Sequence, residues 1–430
     1  MEAIRSGARQ VMSPLGPDRL NPEADLTPAV VHPYPPAPAR RLASVQDSVI
    51  PQLGALLRQR PDALSLAQGM VNWAPPAAVR EALVEALRSE PNQASLDRYG
   101  AVQGDPALQQ AVHRELGQHQ GLDLEDSALL VTAGSNMAFN AIAQVILDPG
   151  DEVILPLPWY FNHVMAIQLA GGRPIGVDAG AVPDPARLAA AITPRTRAIV
   201  TTSPGNPSGV VIPGPVLAAI NRICADHGLF HVSDEAYAAF VHGDVPHVPP
   251  GRLTGSGAHT VSLHSLSKAY GMAGWRVGYA AVPKRLLSGL IQVQDTVLIC
   301  PPRPMQLAAR AALAAGPDWI APRVAELGQR RRQLLDALED ARQRGLPIAF
   351  SPVPDGAFYL LLRCATRLNG HELVQRLLLE HGVATLPGEG FGLAAASGWA
   401  SLRLSYAMLE ASGLALAVAR LLRGLKDLCR

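Results

Sequence analysis

The stretch that most constrains the chain reads Ser265-Leu266-Ser267-Lys268-Ala269-Tyr270-Gly271-Met272-Ala273-Gly274-Trp275-Arg276-Val277-Gly278-Tyr279. It directly follows an apolar run, Thr260–Leu263, that is typical of a buried β-strand. Lys268 lies among small and hydroxyl side chains, and Arg276 follows eight positions later. An aldehyde cofactor that carries a phosphate requires this combination, an amine for a Schiff base and donors for phosphate oxygens. A lysine alone can equally be a solvated surface charge, so the interpretation depends on the rest of the chain.

Apolar runs separated by helix-length segments lie on both sides of this stretch. The other runs that favour β-strands are Leu129–Thr132, Glu152–Leu155, Ala198–Thr202, Leu229–Val232 and Val277–Val282. Met137–Leu147 and Pro215–His227 are helical candidates between them, and the second has proline at its start and Gly228 after its end. This alternation predicts an α/β fold with a large, mostly parallel sheet covered by helices.

Beyond about residue 316 the pattern changes to longer segments. It predicts a helix from Trp319 to about Arg344, strands Phe358–Arg363 and Leu402–Ser405, a helix His371–His381 and a last helix ending near Leu428. These elements favour a smaller α+β domain.

The first residues contain eight prolines between Pro14 and Pro38, which favours an extended segment without a core of its own. We therefore predict a flexible tail at 1–45, an arm contributing to the small domain at 46–75, a large domain at 76–315 and a small domain at 316–430.

Composition excludes several classes of protein. With 48% apolar and 17% charged residues the chain is not disordered, and 37 basic against 36 acidic residues leave no long-range field for nucleic acid or an acidic membrane. The four cysteines form no C-x-x-C pair and have no histidine at ligand spacing, so we expect no metal and a reducing compartment. The apolar segments are interrupted by polar residues and no signal-peptide core begins the chain, so a soluble, cytoplasmic protein is expected.

Three further polar segments follow predicted strands. They are Thr132-Ala133-Gly134-Ser135-Asn136, Pro204-Gly205-Asn206-Pro207-Ser208-Gly209 and Asp234-Glu235-Ala236-Tyr237. Ligands of open α/β sheets bind at the carboxyl ends of the strands, and the first segment also presents unpaired N–H groups at a helix start, which suit a phosphate. Alone, each segment is also explained as a turn or as an acidic helix cap.

In this order and at these separations, the four segments resemble the class I/II aminotransferases, which are pyridoxal-phosphate enzymes of fold type I. The resemblance extends from about Ala43 to the C-terminus. It implies that Lys268 forms the Schiff base and shuttles the proton, and that Asp234 pairs with the pyridine nitrogen. Asn206 and Tyr237 would hydrogen-bond the ring 3-oxygen, and Tyr160 would stack on the ring.

The resemblance also implies the contacts of the phosphate and of the substrate. The phosphate would be held by Ser135, Asn136, Ser265, Ser267 and Arg276, and by Tyr99 of the other subunit in a homodimer. Arg403 would grip the substrate α-carboxylate, with Gly69 and Asn206 beside it. From the residues alone, Arg403 could also be an edge-strand arginine in a surface ion pair.

The amino donor is predicted from finer similarities. Family members specific for dicarboxylates carry a second arginine in the region of Gln292–Gln306, where this chain has Asp295, although Arg303 is close in sequence. The surroundings of Gly69 and Tyr160 resemble plant and cyanobacterial aminotransferases acting on methionine and aromatic amino acids. Trp73 and Phe161 could supply an apolar wall, or could be core residues.

The predicted activity is therefore transamination between a methionine-type or aromatic L-amino acid and a 2-oxo acid, by a ping-pong mechanism. An aspartate-type aminotransferase and a pyridoxal-phosphate β-elimination on the same fold remain alternatives, because they need the same Lys268, Asp234 and Arg403. A transcription regulator that uses this fold as a sensor would need a helix-turn-helix domain in front. The first 45 residues are too short and too proline-rich for one.

Overall fold

The computed structural model describes residues 38–89, 96–350, 353–394 and 398–429. Most of the predicted proline-rich tail, residues 1–37, lies outside the described residues. The strands are β1 (Leu64–Ser65), β2 (Ser127–Thr132), β3 (Glu152–Pro156), β4 (Arg173–Val177), β5 (Thr196–Thr202), β6 (Phe230–Asp234), β7 (Thr260–Ser265), β8 (Gly278–Pro283), β9 (Ile348–Ala349), β10 (Tyr359–Ala365), β11 (Val383–Ala384), β12 (Leu386–Pro387) and β13 (Trp399–Ser405).

The helices lie between these strands and at the end of the chain. They are α1 (Val49–Leu57), α2 (Ala77–Arg88), α3 (Pro106–Arg114), α4 (Ser135–Ile146), α5 (Phe161–Leu169), α6 (Pro185–Ala190), α7 (Gly214–Asp226), α8 (Leu266–Ala269), α9 (Leu287–Leu298), α10 (Arg303–Gln343), α11 (Gly370–His381) and α12 (Ala411–Leu428). Short 3₁₀ turns lie at Arg40–Ser44, Pro250–Arg252, Ser256–Ala258, Ala273–Trp275, Lys284–Leu286 and Gly388–Phe391, and a π-helical turn at Glu115–His119 continues α3. In the described ranges, no helix is long and apolar enough to cross a membrane.

The large sheet has the order β2-β8-β7-β6-β5-β3-β4 across the described residues, and β8 alone runs against its neighbours. The predicted α/β fold with a mostly parallel sheet is therefore confirmed. Because β2, β5, β6 and β7 run in one direction, their carboxyl ends, and the polar segments that follow them, meet at one edge of the sheet. Both faces are covered by apolar side chains from the helices, which hold this edge in place.

Two details of the large sheet differ from the sequence prediction. The strand predicted at Leu229–Val232 runs from Phe230 to Asp234, so that Asp234 is the last residue of the strand and pairs in register with Thr202. Strand β4 was not predicted, because Pro174 and Gly176 are unfavourable in a strand. It is tolerated because β4 lies at the sheet edge and pairs only with β3.

The smaller sheet, with the order β12-β13-β10-β9, is antiparallel, and β1 pairs with β11 beside it. This arrangement confirms a smaller α+β unit at the end of the chain. Gly316, where φ is 65°, divides the helical run Arg303–Gln343 into two segments. The second segment resumes at Pro317, a position that tolerates proline because it opens a first helical turn, and it corresponds to the helix predicted from Trp319. The segment from Arg303 to the kink was not predicted. The predicted boundary at 315/316 falls at this kink, and the division into domains stays a prediction.

Candidate active site

A cavity of about 310 Å³ lies over the edge where the carboxyl ends of the strands meet. It is lined by every predicted site residue except Tyr99, namely Gly69, Ser135, Asn136, Tyr160, Asn206, Asp234, Tyr237, Ser265, Ser267, Lys268, Arg276 and Arg403. These side chains come from both sheets and from segments far apart in sequence. The fold therefore brings together what the sequence presented as separate motifs.

Lys268 lies in α8, a single helical turn that begins directly after β7. The side chain of Ser265 caps this turn by accepting a hydrogen bond from the Ser267 amide, at 3.2 Å. The Lys268 ammonium group donates to the carbonyl oxygen of Gly69. Burial, aided by the positive charges of Arg403 and Arg276, lowers the pKa of Lys268 to about 8. A fraction of the amine is therefore neutral near physiological pH, as a nucleophile or general base requires.

Asp234 is buried and held from two sides. One carboxylate oxygen accepts from the Ala236 amide at 3.1 Å, and the other lies 3.0 Å from Nε2 of His163. His163 stacks on Phe139, with 4.2 Å between ring centroids. Sequence reasoning missed His163, although its place one turn after Tyr160 in a helix facing the site was a usable signal. The arrangement orients a carboxylate toward the cavity, where it can pair with a cation.

The start of α4 and Arg276 form a cradle suited to an anion. Arg276 has the left-handed backbone conformation (φ 52°), and its guanidinium donates to the carbonyl oxygens of Ala133 and Ala273 at 3.3 and 3.0 Å. A Cβ on Gly134 would lie 2.3 Å from this guanidinium, so only glycine permits the approach. Arg276 has no carboxylate partner among the described side chains. Its charge and the free N–H groups of the helix start therefore face the cavity together.

Arg403 is buried in β13, between β12 and β10, with 2% of its surface exposed. One terminal nitrogen donates to Asn206 at 3.0 Å and the other to the carbonyl oxygen of Ala67, while Nε has no partner. No carboxylate pairs with it in the described part of the chain, so the alternative of a surface ion pair on an edge strand is wrong. A buried guanidinium without an anion is a strong site for a substrate carboxylate.

A second missed residue is Tyr359, the first residue of β10. Its hydroxyl lies 2.8 Å from the hydroxyl of Tyr237, and the guanidinium carbon of Arg403 lies 4.5 Å from its ring centroid. A Cβ on Gly69 would lie 2.4 Å from the Tyr359 hydroxyl, which explains glycine at that position. No motif in the sequence marks Tyr359, because its partners lie on other elements.

The remaining predicted residues have different surroundings. Tyr160 lines the cavity, and its hydroxyl accepts from the amide of Asn162 at 2.8 Å. Tyr99 is 78% exposed and lies in a separate surface depression with Arg303, so its contact with the other subunit stays a prediction. Trp73 packs on Phe240 in the core and does not line the cavity.

Of the two positions considered next for substrate specificity, Phe161 lines the cavity and Asp295 does not. Phe161 lines the cavity, where its ring packs on Phe391 with 5.5 Å between centroids. Asp295 lies on the exposed side of α9, outside the cavity. Of the apolar residues considered for the substrate wall, Phe161 is therefore the one placed to contact a side chain.

Comparison with known proteins finds the same architecture elsewhere. Residues 61–421 match the family model described as aminotransferase class I and II. An aromatic aminotransferase of Arabidopsis thaliana is 33% identical over 91% of this chain and 96% of its own length. An aspartate/prephenate aminotransferase of Thermus thermophilus is 33% identical over 86% of this chain and 94% of its own. The structure of aspartate aminotransferase from Thermus thermophilus with maleate superposes with a TM-score of 0.79 at 31% identity, over 90% of this chain and 99% of that one.

Proposed function

Because the chain belongs to the class I and II aminotransferases, the fold-type I enzymes that use pyridoxal phosphate, we propose that it moves the amino group of methionine or an aromatic L-amino acid to a 2-oxo acid. The reaction is a transamination in two halves at one site, where the second substrate reverses the steps of the first. The amino donor is proposed from the charges and apolar surfaces of the cavity.

The residues of the cavity fit the cofactor. Arg276 and the start of α4 suit its phosphate, Asp234 suits a protonated ring nitrogen, and Gly134 leaves the space that the phosphate cradle needs. Bound pyridoxal phosphate supplies an aldehyde for the amine of Lys268 and a ring that withdraws electrons from the substrate α-carbon. Asn206 and Tyr237 would hold the ring 3-oxygen, while Ser135, Asn136, Ser265 and Ser267 would add donors to the phosphate.

The chain's own groups orient the substrate and move its proton. Arg403 would bind the α-carboxylate through the terminal nitrogens that now contact Asn206 and Ala67. This clamp holds the α-carbon near Lys268, whose lowered pKa suits it to accept the α-proton at Nζ and to return it. His163 keeps the Asp234 carboxylate in place, because its ring is packed and its Nε2 contacts one carboxylate oxygen.

One observation carries the proposed substrate class. The cations that line the cavity in the described ranges are Lys268, Arg276 and Arg403, and each has a role toward the cofactor or the α-carboxylate. Among the described residues, no further cation lines the cavity to pair with a side-chain carboxylate. Ile50, Met70 and Phe161 also line the cavity. A thioether or aromatic side chain would meet apolar and polarizable atoms there, whereas the side chain of aspartate would remain unpaired.

Aspartate is the second candidate amino donor, because a similar enzyme acts on aspartate and an arginine lies beside Tyr99. The relative from Thermus thermophilus is an aspartate/prephenate aminotransferase, and Arg303 lies beside Tyr99 in the same surface depression. If Tyr99 reaches the cavity of a second subunit, Arg303 could approach it too. We include in the proposal the homodimer with Tyr99 at the partner's phosphate, and a cytoplasmic location consistent with four free cysteines.

Kinetics with a set of donors and acceptors test the proposal. The purified holoenzyme is assayed with methionine, phenylalanine, tyrosine and aspartate against an aromatic 2-oxo acid and 2-oxoglutarate. We expect kcat/KM for methionine or phenylalanine to exceed that for aspartate. Faster turnover of aspartate would overturn the proposed donor class. Release of ammonia and pyruvate without an oxo-acid acceptor would instead indicate β-elimination.

A further inference from the structure

A second, larger cavity of about 780 Å³ shares none of the described lining residues of the active-site cavity. It is bounded by the segment 238–252 that follows Tyr237, by the part of α10 after the kink, and by the end of α3 with its π-helical turn. Its volume is within the range of small-molecule sites. Neither the proposed reaction nor the cofactor uses it.

The lining of this cavity combines apolar and polar side chains, and the exposed Arg252 and Arg332 add positive charge to it. The apolar lining includes Ala238, Val241, Pro249, Ile320, Ala321 and Val324. Arg252 and Arg332 have no ion-pair partner among the described residues, whereas the neighbouring Arg331 pairs with Asp355 at 3.6 Å. The one acid that lines the cavity in the described ranges, Glu115, is engaged by His119 at 2.7 Å and by Gln120 at 3.2 Å. The charge of the cavity therefore remains positive.

Two histidines of the cavity lining, His242 and His247, each have a ring nitrogen with no hydrogen-bond partner among the described residues. Nε2 of His242 donates to the carbonyl oxygen of Ala357 at 2.8 Å, which leaves Nδ1 as an acceptor, and burial lowers the pKa of His242 so that it stays neutral. The side chain of His247 is 5% exposed, and its Nε2 lies 3.1 Å from the Glu235 carboxylate, while Nδ1 is buried without a partner. The buried Nδ1 of His247 is unfavourable unless a ligand or a water satisfies it.

Gly328 shows how these groups converge. It lies on the cavity wall in α10, and a Cβ built on it would have His242 Nδ1 at 3.7 Å and Arg332 NH1 at 3.9 Å as its neighbours. An acceptor nitrogen and an unpaired guanidinium therefore approach the same space, which a side chain at position 328 would fill. A ligand there would need an anionic group for the arginine and a donor for the histidine.

We propose that this cavity is a second binding site, separate from the active site, for a small carboxylic acid with an apolar or aromatic body and a hydroxyl or amino donor. Its carboxylate would pair with Arg332 and Arg252, its body would lie on the apolar walls, and its donor would reach His242 or His247. The site does not depend on the proposed amino donor, since none of its residues takes part in that reaction.

Calorimetric titration with 4-hydroxyphenylacetate tests the site, because this probe has the required groups and cannot be transaminated. The starting protein is the Arg403→Gln holoenzyme, in which the arginine of the active site no longer competes for the carboxylate. We expect one molecule bound per chain. Adding Arg332→Gln should weaken binding about tenfold or more, as expected for a lost charge-assisted hydrogen bond. Adding Arg423→Gln, at an exposed arginine outside the cavity, should leave it within about twofold.

Gly328→Leu provides an independent test, because the leucine side chain would fill the space between His242 and Arg332. The neighbours of its Cβ lie at 3.7 Å or beyond, and leucine favours a helix more than glycine does, so the variant should fold. Binding of the probe should be lost. The proposal is overturned if the Arg403→Gln holoenzyme does not bind the probe at millimolar concentration, or if Arg332→Gln and Gly328→Leu both bind it unchanged.

Discussion

The hydroxyl oxygens of Tyr237 and Tyr359 lie 2.8 Å apart and join the two sheets across the active site. Tyr237 follows β6 of the large sheet, whereas Tyr359 opens β10 of the small one. The same Tyr359 ring lies under the guanidinium of Arg403, at 4.5 Å from its centroid. Tyr359 thus contacts both the phenol proposed to hold the cofactor and the arginine proposed to hold the substrate.

Replacing Tyr359 by phenylalanine keeps the ring under Arg403 and removes the bond to Tyr237. A neutral hydrogen bond contributes about 0.5–1.5 kcal/mol, so we expect kcat to fall several-fold with little change in KM for the amino acid. The visible absorbance of bound pyridoxal phosphate should also change its pH dependence, because Tyr237 would be less firmly oriented. Tyr406→Phe is the control, since that hydroxyl contacts the carbonyl oxygen of Ala357 outside the cavity. Equal behaviour of both variants would contradict a positioning role.

His163→Asn removes the 3.0 Å contact with Asp234. We expect the holoenzyme to lose pyridoxal phosphate more readily, with a several-fold higher dissociation constant, because the carboxylate proposed to pair with the ring nitrogen keeps only its bond from the Ala236 amide. Titration of the apoprotein with the cofactor, followed by absorbance, measures this. His113→Asn changes an exposed histidine and should bind the cofactor as the wild type does. The idea fails if the two variants have the same affinity.

The buried amine of Lys268 should make the stability of the apoprotein depend on pH. Burial first, and then Arg403 and Arg276, lower its pKa from 10.5 to about 8. Between these values the unfolded chain keeps the proton that the folded chain has released, so the free energy of unfolding rises with pH. The gain is about 1.4 kcal/mol for each pH unit.

Lys268→Met apoprotein should therefore be more stable than wild type at pH 7.5, with a difference that shrinks toward pH 10. Urea unfolding of both apoproteins at pH 7.5, 8.5 and 9.5 measures this. A difference that stays constant over this range would show that the amine is not desolvated. In the holoenzyme, the same substitution should abolish turnover.

Arg403→Gln should lower kcat/KM for the amino acid by about 10-fold to 100-fold, because a charge-assisted contact with the α-carboxylate is lost. The affinity for pyridoxal phosphate should change little, since Arg403 is not part of the cradle at Arg276 that is proposed to hold the phosphate. Steady-state kinetics and cofactor titration distinguish the two effects. Arg423→Gln again serves as the control. A variant that loses cofactor and substrate affinity equally would indicate collapse of the cavity.

Mixed dimers test whether Tyr99 acts in the other subunit. If Tyr99 reaches the other subunit's site, Tyr99→Ala and Lys268→Ala would each damage both sites of their own dimer. A dimer with one subunit of each kind would then have one site with Lys268 and the partner's intact Tyr99. Subunit exchange should therefore restore part of the activity. No recovery, in a mixture shown by differential tagging to contain mixed dimers, would exclude a role for Tyr99 across the interface.

Local sequence patterns predicted most strands of the large sheet, and the family resemblance predicted most of the residues that line the cavity. Asp234, Lys268 and the turn at Gly134 follow strands directly, and each motif is a strand, a turn and a helix start that neighbouring residues determine. The edge strand β4 was missed because Pro174 and Gly176 contradict strand propensity, while pairing with a single neighbour makes them tolerable. The helical segment before the kink at Gly316 was missed, whereas the segment that resumes at Pro317 was predicted from Trp319.

The sequence by itself predicted the α/β order, from apolar runs that alternate with helix-length segments. It predicted Lys268, Asp234, Arg276 and Arg403 as site residues because their motifs, taken together in order and separation, resemble the class I/II aminotransferases. Only the tertiary structure decided that Tyr359 meets Tyr237 across 122 positions, that His163 supports Asp234, and that Arg403 is buried without an anion. These contacts join different elements, so they depend on how the two sheets pack on each other and how α5 packs on the large sheet. Burial and distance, which set the strength of every charge and hydrogen bond in the site, arise from that packing.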